Sequence, residues 1–172
     1  MVKNGRLGAC WSYMYAVQCG KCFKWRKIQT QEEFEVIRAN VTKDPFVCNK
    51  KFKVKCDDPA EIEYDSSRTW VLDKPDVPKT PLGFHRDVIL RKDFSKMDVH
   101  YTSPEGKRLR SLVEVATFLE ENPKYKDSIS VEDFSFTTPK VVPETVPKDF
   151  VSKLSAEKKI VKHSGKMFLK SP

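Results

Sequence analysis

Apolar and polar positions change period along the chain, and each change predicts an element. Arg86-Asp87-Val88-Ile89-Leu90-Arg91 and Met97-Asp98-Val99-His100-Tyr101-Thr102 are rich in β-branched and aromatic residues and are bounded by polar clusters, which predicts two strands. In Ser103-Pro104-Glu105-Gly106, proline and glycine stand where a type I turn favours them, ahead of a short strand through Lys107-Arg108-Leu109-Arg110. Leu112, Val115, Ala116 and Leu119 then fall at helical spacing on one apolar face. A capping box from Ser111 to Glu114 opens that helix and Pro123 ends it. The helix covers one face of a small antiparallel sheet, Phe134 and Phe136 close the core, and the other sheet face stays free.

The first third reads differently. Residues 13–66 contain few large aliphatics and could not bury enough apolar surface to offset their chain entropy. Thr30-Gln31-Glu32-Glu33 is a second capping box, ahead of Phe34 and Ile37, and predicts a short helix among ribbon and loop. Pro75, Pro78 and Pro81 mark a boundary, since closely spaced prolines disfavour helix and central strand. Pro143, Pro147 and the lysines from Lys153 to Lys170 read as a flexible basic tail. The expected fold class is therefore α+β. A flexible stretch at 1–8, a ribbon-like finger at 9–66 and a linker at 67–80 precede a sheet-and-helix domain at 81–139 and a tail at 140–172.

Metal is what the finger lacks in core. The five cysteines are Cys10, Cys19, Cys22, Cys48 and Cys56, an odd number that argues against a disulfide framework. Cys19 and Cys22 form a C-x2-C pair, a spacing that also suits a redox couple. Cys48 and Cys56, a second pair at ribbon-like distance, favour one structural zinc held by four thiolates, with Cys10 left over. On this reading metal binding supplies most of the finger's folding free energy, and its removal melts the finger while sparing the second domain. A zinc hydrolase would need an open metal position, which four cysteines close, so an enzyme is not expected.

The chain has 32 Lys and Arg against 24 Asp and Glu, a net +8 that favours polyanionic partners. No apolar run approaches the roughly 18 residues of a membrane span, and the first 13 residues lack a secretory h-region, so a membrane is not among the expected partners.

Around the cysteines, Gln18-Cys19-Gly20-Lys21-Cys22-Phe23-Lys24-Trp25-Arg26, Phe46 two places before the third cysteine, and a close fourth cysteine resemble the CW-type zinc finger. The resemblance implies binding of the histone H3 amino-terminal tail, added as a β-strand, with a methylated lysine in an aromatic cage. Trp25 matches one cage wall. The other wall, a tryptophan three residues before the first zinc cysteine, is Ala16 here, which leaves Tyr15 as the substitute and lowers the expected methyl-lysine preference. The alternative for Trp25 is packing over the zinc loops. Five acids between Asp57 and Asp65, with no base among them, could flank a basic tail or form a solvated face.

Leu82-Gly83-Phe84-His85-Arg86, Val88 to Lys92, Met97-Asp98-Val99, Ser103 to Lys107, Arg110 to Glu114 and Asp133 to Phe136 resemble, in this order, the methyl-CpG-binding domain. That resemblance implies double-stranded DNA as partner, with Arg91 and Arg110 each reading a guanine, Asp98 orienting the first and Glu114 supporting the second. Ser111 would meet a phosphate, and Lys92 and Lys107 belong to the same basic edge. His100 stands where methyl-selective members have a tyrosine, and the segment from Lys92 to Met97 is shorter than the family's DNA-contacting loop. Together the resemblances imply a nuclear chromatin-binding module, weakly methyl-selective, acting in histone deacetylase-type complexes and transcriptional regulation. A second reading makes both modules protein-interaction surfaces.

Overall fold

The computed structural model describes residues 2–3 and 13–148. Among them the order is β1 (Val2–Lys3), β2 (Tyr13–Gln18), β3 (Trp25–Ile28), α1 (Gln31–Asn40), β4 (Thr69–Leu72), β5 (His85–Leu90), β6 (Met97–Thr102), β7 (Arg108–Leu109), α2 (Leu112–Glu121) and β8 (Lys140–Val141).

Both capping boxes start their helices. Thr30 accepts from the Glu33 amide at 3.1 Å, and Ser111 accepts from the Glu114 amide at 3.2 Å, each supplying one partner to an otherwise unpaired helix N-terminus. Strands β5, β6 and β7 form an antiparallel sheet with Asp87 opposite His100, Ile89 opposite Asp98 and Thr102 opposite Arg108. Alternation sends Tyr101 and Leu109 into a core with Phe84, Val115, Phe118, Leu119 and Phe134, while Asp98, His100 and Arg108 take the opposite face. Phe134 meets Phe84 and Tyr101 edge to face at 5.1 and 4.9 Å, a favourable arrangement for aromatic quadrupoles. Phe136 packs against the same cluster, as its position in the sequence suggested.

The other sheet runs β3-β2-β1-β4-β8 and departs from the domain plan read from the sequence. Strand β4 lies inside the expected linker, yet Thr69, Trp70 and Val71 are buried. Strand β8 and the turn after it lie inside the expected tail, yet β8 pairs with β4 and Val142, Thr145 and Val146 are buried. Thr145 Oγ1 accepts from the Trp70 amide at 2.8 Å and donates to Val142 O at 2.9 Å, which ties the segment down. Val2 and Lys3, expected in a flexible stretch, pair with both β2 and β4. The remainder of the expected tail from residue 149 on, and Cys10, lie outside the described residues.

The two units therefore share a junction. Val71 of β4, Leu90, Phe94, Met97 and Val146 form one buried cluster. Beside it Asp73 receives Arg38 of α1 at 2.7 Å and Arg86 of β5 at 3.1 Å, all three nearly solvent-free. Gln31 of α1 donates to Arg86 O at 2.8 Å, and Glu35 accepts from the Thr80 amide at 2.9 Å. The proline-bearing stretch 73–80 does stay free of helix and strand, and its Val77 and Pro78 carbonyls accept from Arg38.

Candidate functional site

Cys19 directly follows β2, Cys22 comes in the next turn, Cys48 opens a single 3-10 turn, and Cys56 sits in the loop beyond it. Their sulfurs all lie within 4.8 Å of one another, with Cys19 to Cys56 at 3.9 Å and Cys22 to Cys48 at 3.6 Å. A tetrahedron of thiolates about 2.3 Å from zinc has edges of about 3.8 Å, so the four residues are positioned to bind a zinc ion. Zinc with four thiolates carries a net negative charge, and the chain answers it with buried donors. Arg26 is fully buried and donates to Cys48 Sγ at 3.1 Å. Its Nη1 donates to Pro59 O at 2.5 Å and its Nη2 to Lys55 O at 2.9 Å and Asp58 O at 3.1 Å. Lys24 Nζ donates to Cys56 O at 2.8 Å and Asp58 O at 2.9 Å, binding the fourth-cysteine loop to the first knuckle. Burial, then the neighbouring thiols, push the Cys56 thiol up to about 12, so metal must displace its proton to bind.

The expected cage pair separates. In the β2–β3 register Gln18 faces Trp25 and Ala16 faces Lys27, whereas Tyr15 faces Ile28, which puts Tyr15 and Trp25 on opposite sides of the ribbon. Tyr15 packs on Phe34 at 5.2 Å and donates its hydroxyl to Gln31 Oε1 at 2.9 Å, and so belongs to the core under α1. Burial, then the Glu35 carboxylate, push its phenol up to about 12. Trp25 instead meets Tyr64 at 6.4 Å, nearly parallel, and Trp70 at 5.0 Å. Trp70 is buried over Ala16 and Ile62, so the small residue at 16 makes room for a tryptophan from β4. Tyr64 and Trp70 were missed because both lie far from the cysteine motif, Trp70 in a stretch that read as linker.

On the helix-free face of β5–β6–β7, Arg91 grips Asp98 with two parallel bonds, Nε to Oδ2 at 2.9 Å and Nη2 to Oδ1 at 3.0 Å. The Arg91 guanidinium holds the Asp98 carboxyl below the usual carboxylate range. Arg110 is exposed, and among the described residues no hydrogen bond or ion pair engages its guanidinium. Glu114 supports it through the backbone, accepting from the Arg110 amide at 2.7 Å. Ser111, beside Arg110, accepts as the helix cap and keeps its hydroxyl hydrogen free to donate.

His100 is buried, with Nε2 3.1 Å from Asp87 Oδ2, and Thr102 Oγ1 donates to the same oxygen at 2.8 Å. Burial lowers the His100 pKa, against the pull of Asp87 and with the nearby Arg108 and Arg110 charges adding to the drop. Lys92 is exposed next to Arg91. Lys107 turns away: its ammonium pairs with Glu121 at 3.0 Å and lies 5.8 Å over the Phe118 ring, on the α2 side. Arg108 takes the place expected of it, since strand alternation puts residue 108 on the face of His100.

A sheet face with a carboxylate-held arginine, joined to a four-cysteine finger, defines a two-module binding protein. The sequence profile of the methyl-CpG binding domain matches residues 70–144 and that of the CW-type zinc finger matches residues 15–62. Both families are binding domains. Methyl-CpG-binding domain-containing protein 4 of Arabidopsis thaliana is 56% identical over 135 residues, covering 78% of this chain and 72% of that protein. Methyl-CpG-binding domain-containing protein 1 of the same plant is 55% identical over 139 residues, covering 81% and 68%. Human Methyl-CpG-binding domain protein 2 is 31% identical over 77 residues, covering 43% and 17%. The chain belongs to the methyl-CpG-binding domain proteins that carry a CW-type zinc finger. No solved structure matches it.

Proposed function

We propose that the chain is a nuclear chromatin protein that grips duplex DNA on the β5–β6–β7 face and holds an extended histone H3 tail on its finger. The pairing of Arg91 with Asp98 carries the DNA half of this reading. A guanidinium held in plane by a carboxylate, on an open face beside the unpaired Arg110, presents the donor fork that guanine O6 and N7 accept. Lys92, Arg108 and Ser111 surround the two arginines with groups suited to phosphate. Guanine offers the same acceptors whether or not cytosine is methylated, and His100 is drawn down onto Asp87, so methyl selectivity is weak.

For the tail, Trp25 and the half-exposed Tyr64 supply aromatic surface, with Glu63 and Asp65 adjacent in sequence as acidic flanks. The closed contact of Trp25 with Trp70 supports tail binding with little preference for methylated lysine. Deacetylase-type complexes are the partner class this reading gives the chain, as an adaptor in transcriptional regulation.

A titration of methylated and unmethylated CpG duplexes at 50 and 200 mM salt tests the DNA half. Three displaced counterions would weaken binding about 40-fold across that range. Equal, salt-insensitive affinities, or no binding, would favour a protein-interaction module.

A further inference from the structure

The connection between β5 and β6 is where this molecule departs most from a free DNA-contacting loop. Arg91, the residue after β5, donates its amide to Lys96 O at 3.1 Å, and the Phe94 amide donates to Arg91 O at 2.9 Å. Ser95 bonds Asp93 Oδ1 through both its amide, at 3.1 Å, and its hydroxyl, at 2.8 Å. The turn is thus closed on itself, and its tip points inward. Phe94 has φ +59°, a left-handed conformation that a bulky L residue rarely adopts. What holds it there is burial: its ring is 8% exposed and packs with Val71, Leu90, Met97 and Val146. Val71 belongs to β4 and Val146 follows β8, so the ring is seated on strands that extend the zinc finger's sheet.

A second tie runs beside the first. Asp73, the residue after β4, binds Arg86 of β5 and Arg38 of α1, the helix packed under the zinc ribbon. Arg91 therefore has its guanidinium fixed by Asp98, and its backbone fixed by a plug whose socket is shared between Leu90 and Met97 of its own sheet and Val71 and Val146 on strands continuous with the finger's sheet.

We infer that Phe94 is a positioning residue for DNA reading, and that through it zinc binding and DNA binding are linked in this chain. The inference rests on the DNA reading proposed above. The strands that extend the finger's sheet form one wall of the socket, the socket fixes the β5–β6 turn, and the turn fixes Arg91. Linkage is reciprocal, so whatever factor zinc adds to duplex affinity, the duplex adds to zinc affinity.

The experiment uses the full chain and a CpG duplex at fixed salt, comparing wild type, Phe94→Ala, Phe94→Leu, Arg91→Ala, Arg110→Ala and the double variants. The zinc-loaded Phe94→Ala protein is expected to keep its zinc and its circular dichroism yet bind the duplex at least tenfold more weakly. Phe94→Leu should restore most of the loss. Adding Arg91→Ala to Phe94→Ala should cost little more, because the arginine is already displaced, whereas adding Arg110→Ala should cost its full single-variant loss. That non-additivity is the signature of positioning, which general destabilisation would not give. In wild type, chelation should weaken duplex binding by a similar factor and speed amide exchange at Arg91 and Phe94, and that exchange measurement stands even where Phe94→Ala fails to fold.

Duplex affinity within twofold of wild type in zinc-loaded Phe94→Ala, additive losses with Arg91→Ala, or unchanged exchange at the turn after chelation would each overturn the linkage. A wild-type chain that binds no duplex overturns the DNA reading along with it.

Discussion

In the finger, strands β2 and β3 and helix α1 enclose a small cluster of Ile28, Phe34 and Phe46, a second small cluster joins Ala16 and Ile62 to Trp70 and Val142, and cysteine sulfur and the Arg26 side chain lie buried beside them. In the sheet-and-helix unit, three strands and α2 enclose seven buried apolar residues, four of them in edge-to-face contact, with no charged group among them. The second arrangement stabilises itself through apolar area removed from water. The first replaces area with a metal cross-link and a buried guanidinium, and its sheet is extended by β1, by β4 just ahead of the sheet-and-helix unit, and by β8 beyond it. The contrast separates residues whose loss acts through metal affinity from residues whose loss acts through packing.

Zinc removal is the largest way to break the contrast. Cys48→Ser, or a strong chelator, is expected to abolish the finger's cooperative melting, since structural zinc contributes on the order of 10 kcal/mol of apparent binding free energy. The aromatic core around Phe118 should persist, and β4 and β8 should lose protection, because their inner neighbours belong to the finger's sheet. Heteronuclear NMR of the chelated protein checks this. Dispersed signals from β4 and β8 after chelation would mean that the shared strands need no metal. The sequence alone led to the expectation of a spared second domain, and the shared cluster of Val71, Leu90, Phe94, Met97 and Val146 narrows that to its core.

Phe118→Ala is the counterpart. Truncating a phenylalanine that is 2% exposed should cost about 3–5 kcal/mol in denaturant melts while leaving the zinc stoichiometry untouched. Arg26→Met keeps the volume but removes the guanidinium's bonds to Cys48 Sγ and to the Pro59, Lys55 and Asp58 carbonyls. It should weaken zinc roughly 10- to 100-fold, as loss of an outer-shell partner does, with far less effect on the Phe118 core. Competition with a chromophoric chelator reads that directly.

On the DNA face, Arg91→Ala and Arg110→Ala should each cost about 1–3 kcal/mol of specific duplex binding. Arg108→Ala should weaken all duplexes alike and lower the salt slope by about 1, and Lys107→Ala should change neither. A Lys107 effect equal to that of Arg108 would contradict the strand register.

Local signals carried most of what the sequence disclosed. Thr30 with Glu33 and Ser111 with Glu114 placed both helix starts, because a cap is decided by residues three apart. The β5–β6 pair and the zinc ligands were legible for the same reason, alternation and spacing being short-range. What stayed hidden depends on distant partners. Strand β4 is four residues long with three consecutive residues buried, so it shows no alternation, and β8 has two residues. Tyr64 and Trp70 reach Trp25 only through the fold, and Lys107 falls on the α2 side while Arg108 takes the open face because adjacent strand residues point to opposite faces.

The smallest expected effect concerns His100, which is buried on the proposed DNA face. Its burial, together with the charges of Arg108 and Arg110, lowers its pKa although Asp87 pulls the other way. A histidine whose folded value lies below its unfolded value of about 6.5 favours the fold in its neutral form. The unfolded chain binds the proton first, so this contribution is complete above about pH 6.5 and is lost as pH falls through the unfolded value toward the folded one. Wild-type stability should therefore decline between neutrality and mild acid by more than that of His100→Gln, measured by denaturant melts of the zinc-loaded protein at each pH. The low end is limited by the thiols, which shed zinc as they protonate, so zinc content must be verified at every point. His100→Tyr, with a hydroxyl farther from the backbone than either imidazole nitrogen, should raise the methylated-to-unmethylated CpG affinity ratio by about threefold, less than 1 kcal/mol. An equal pH slope in His100→Gln would place the titrating group elsewhere. A wild-type preference for methylated CpG of tenfold or more would mean that the imidazole on Asp87 already organises the methyl-reading contacts.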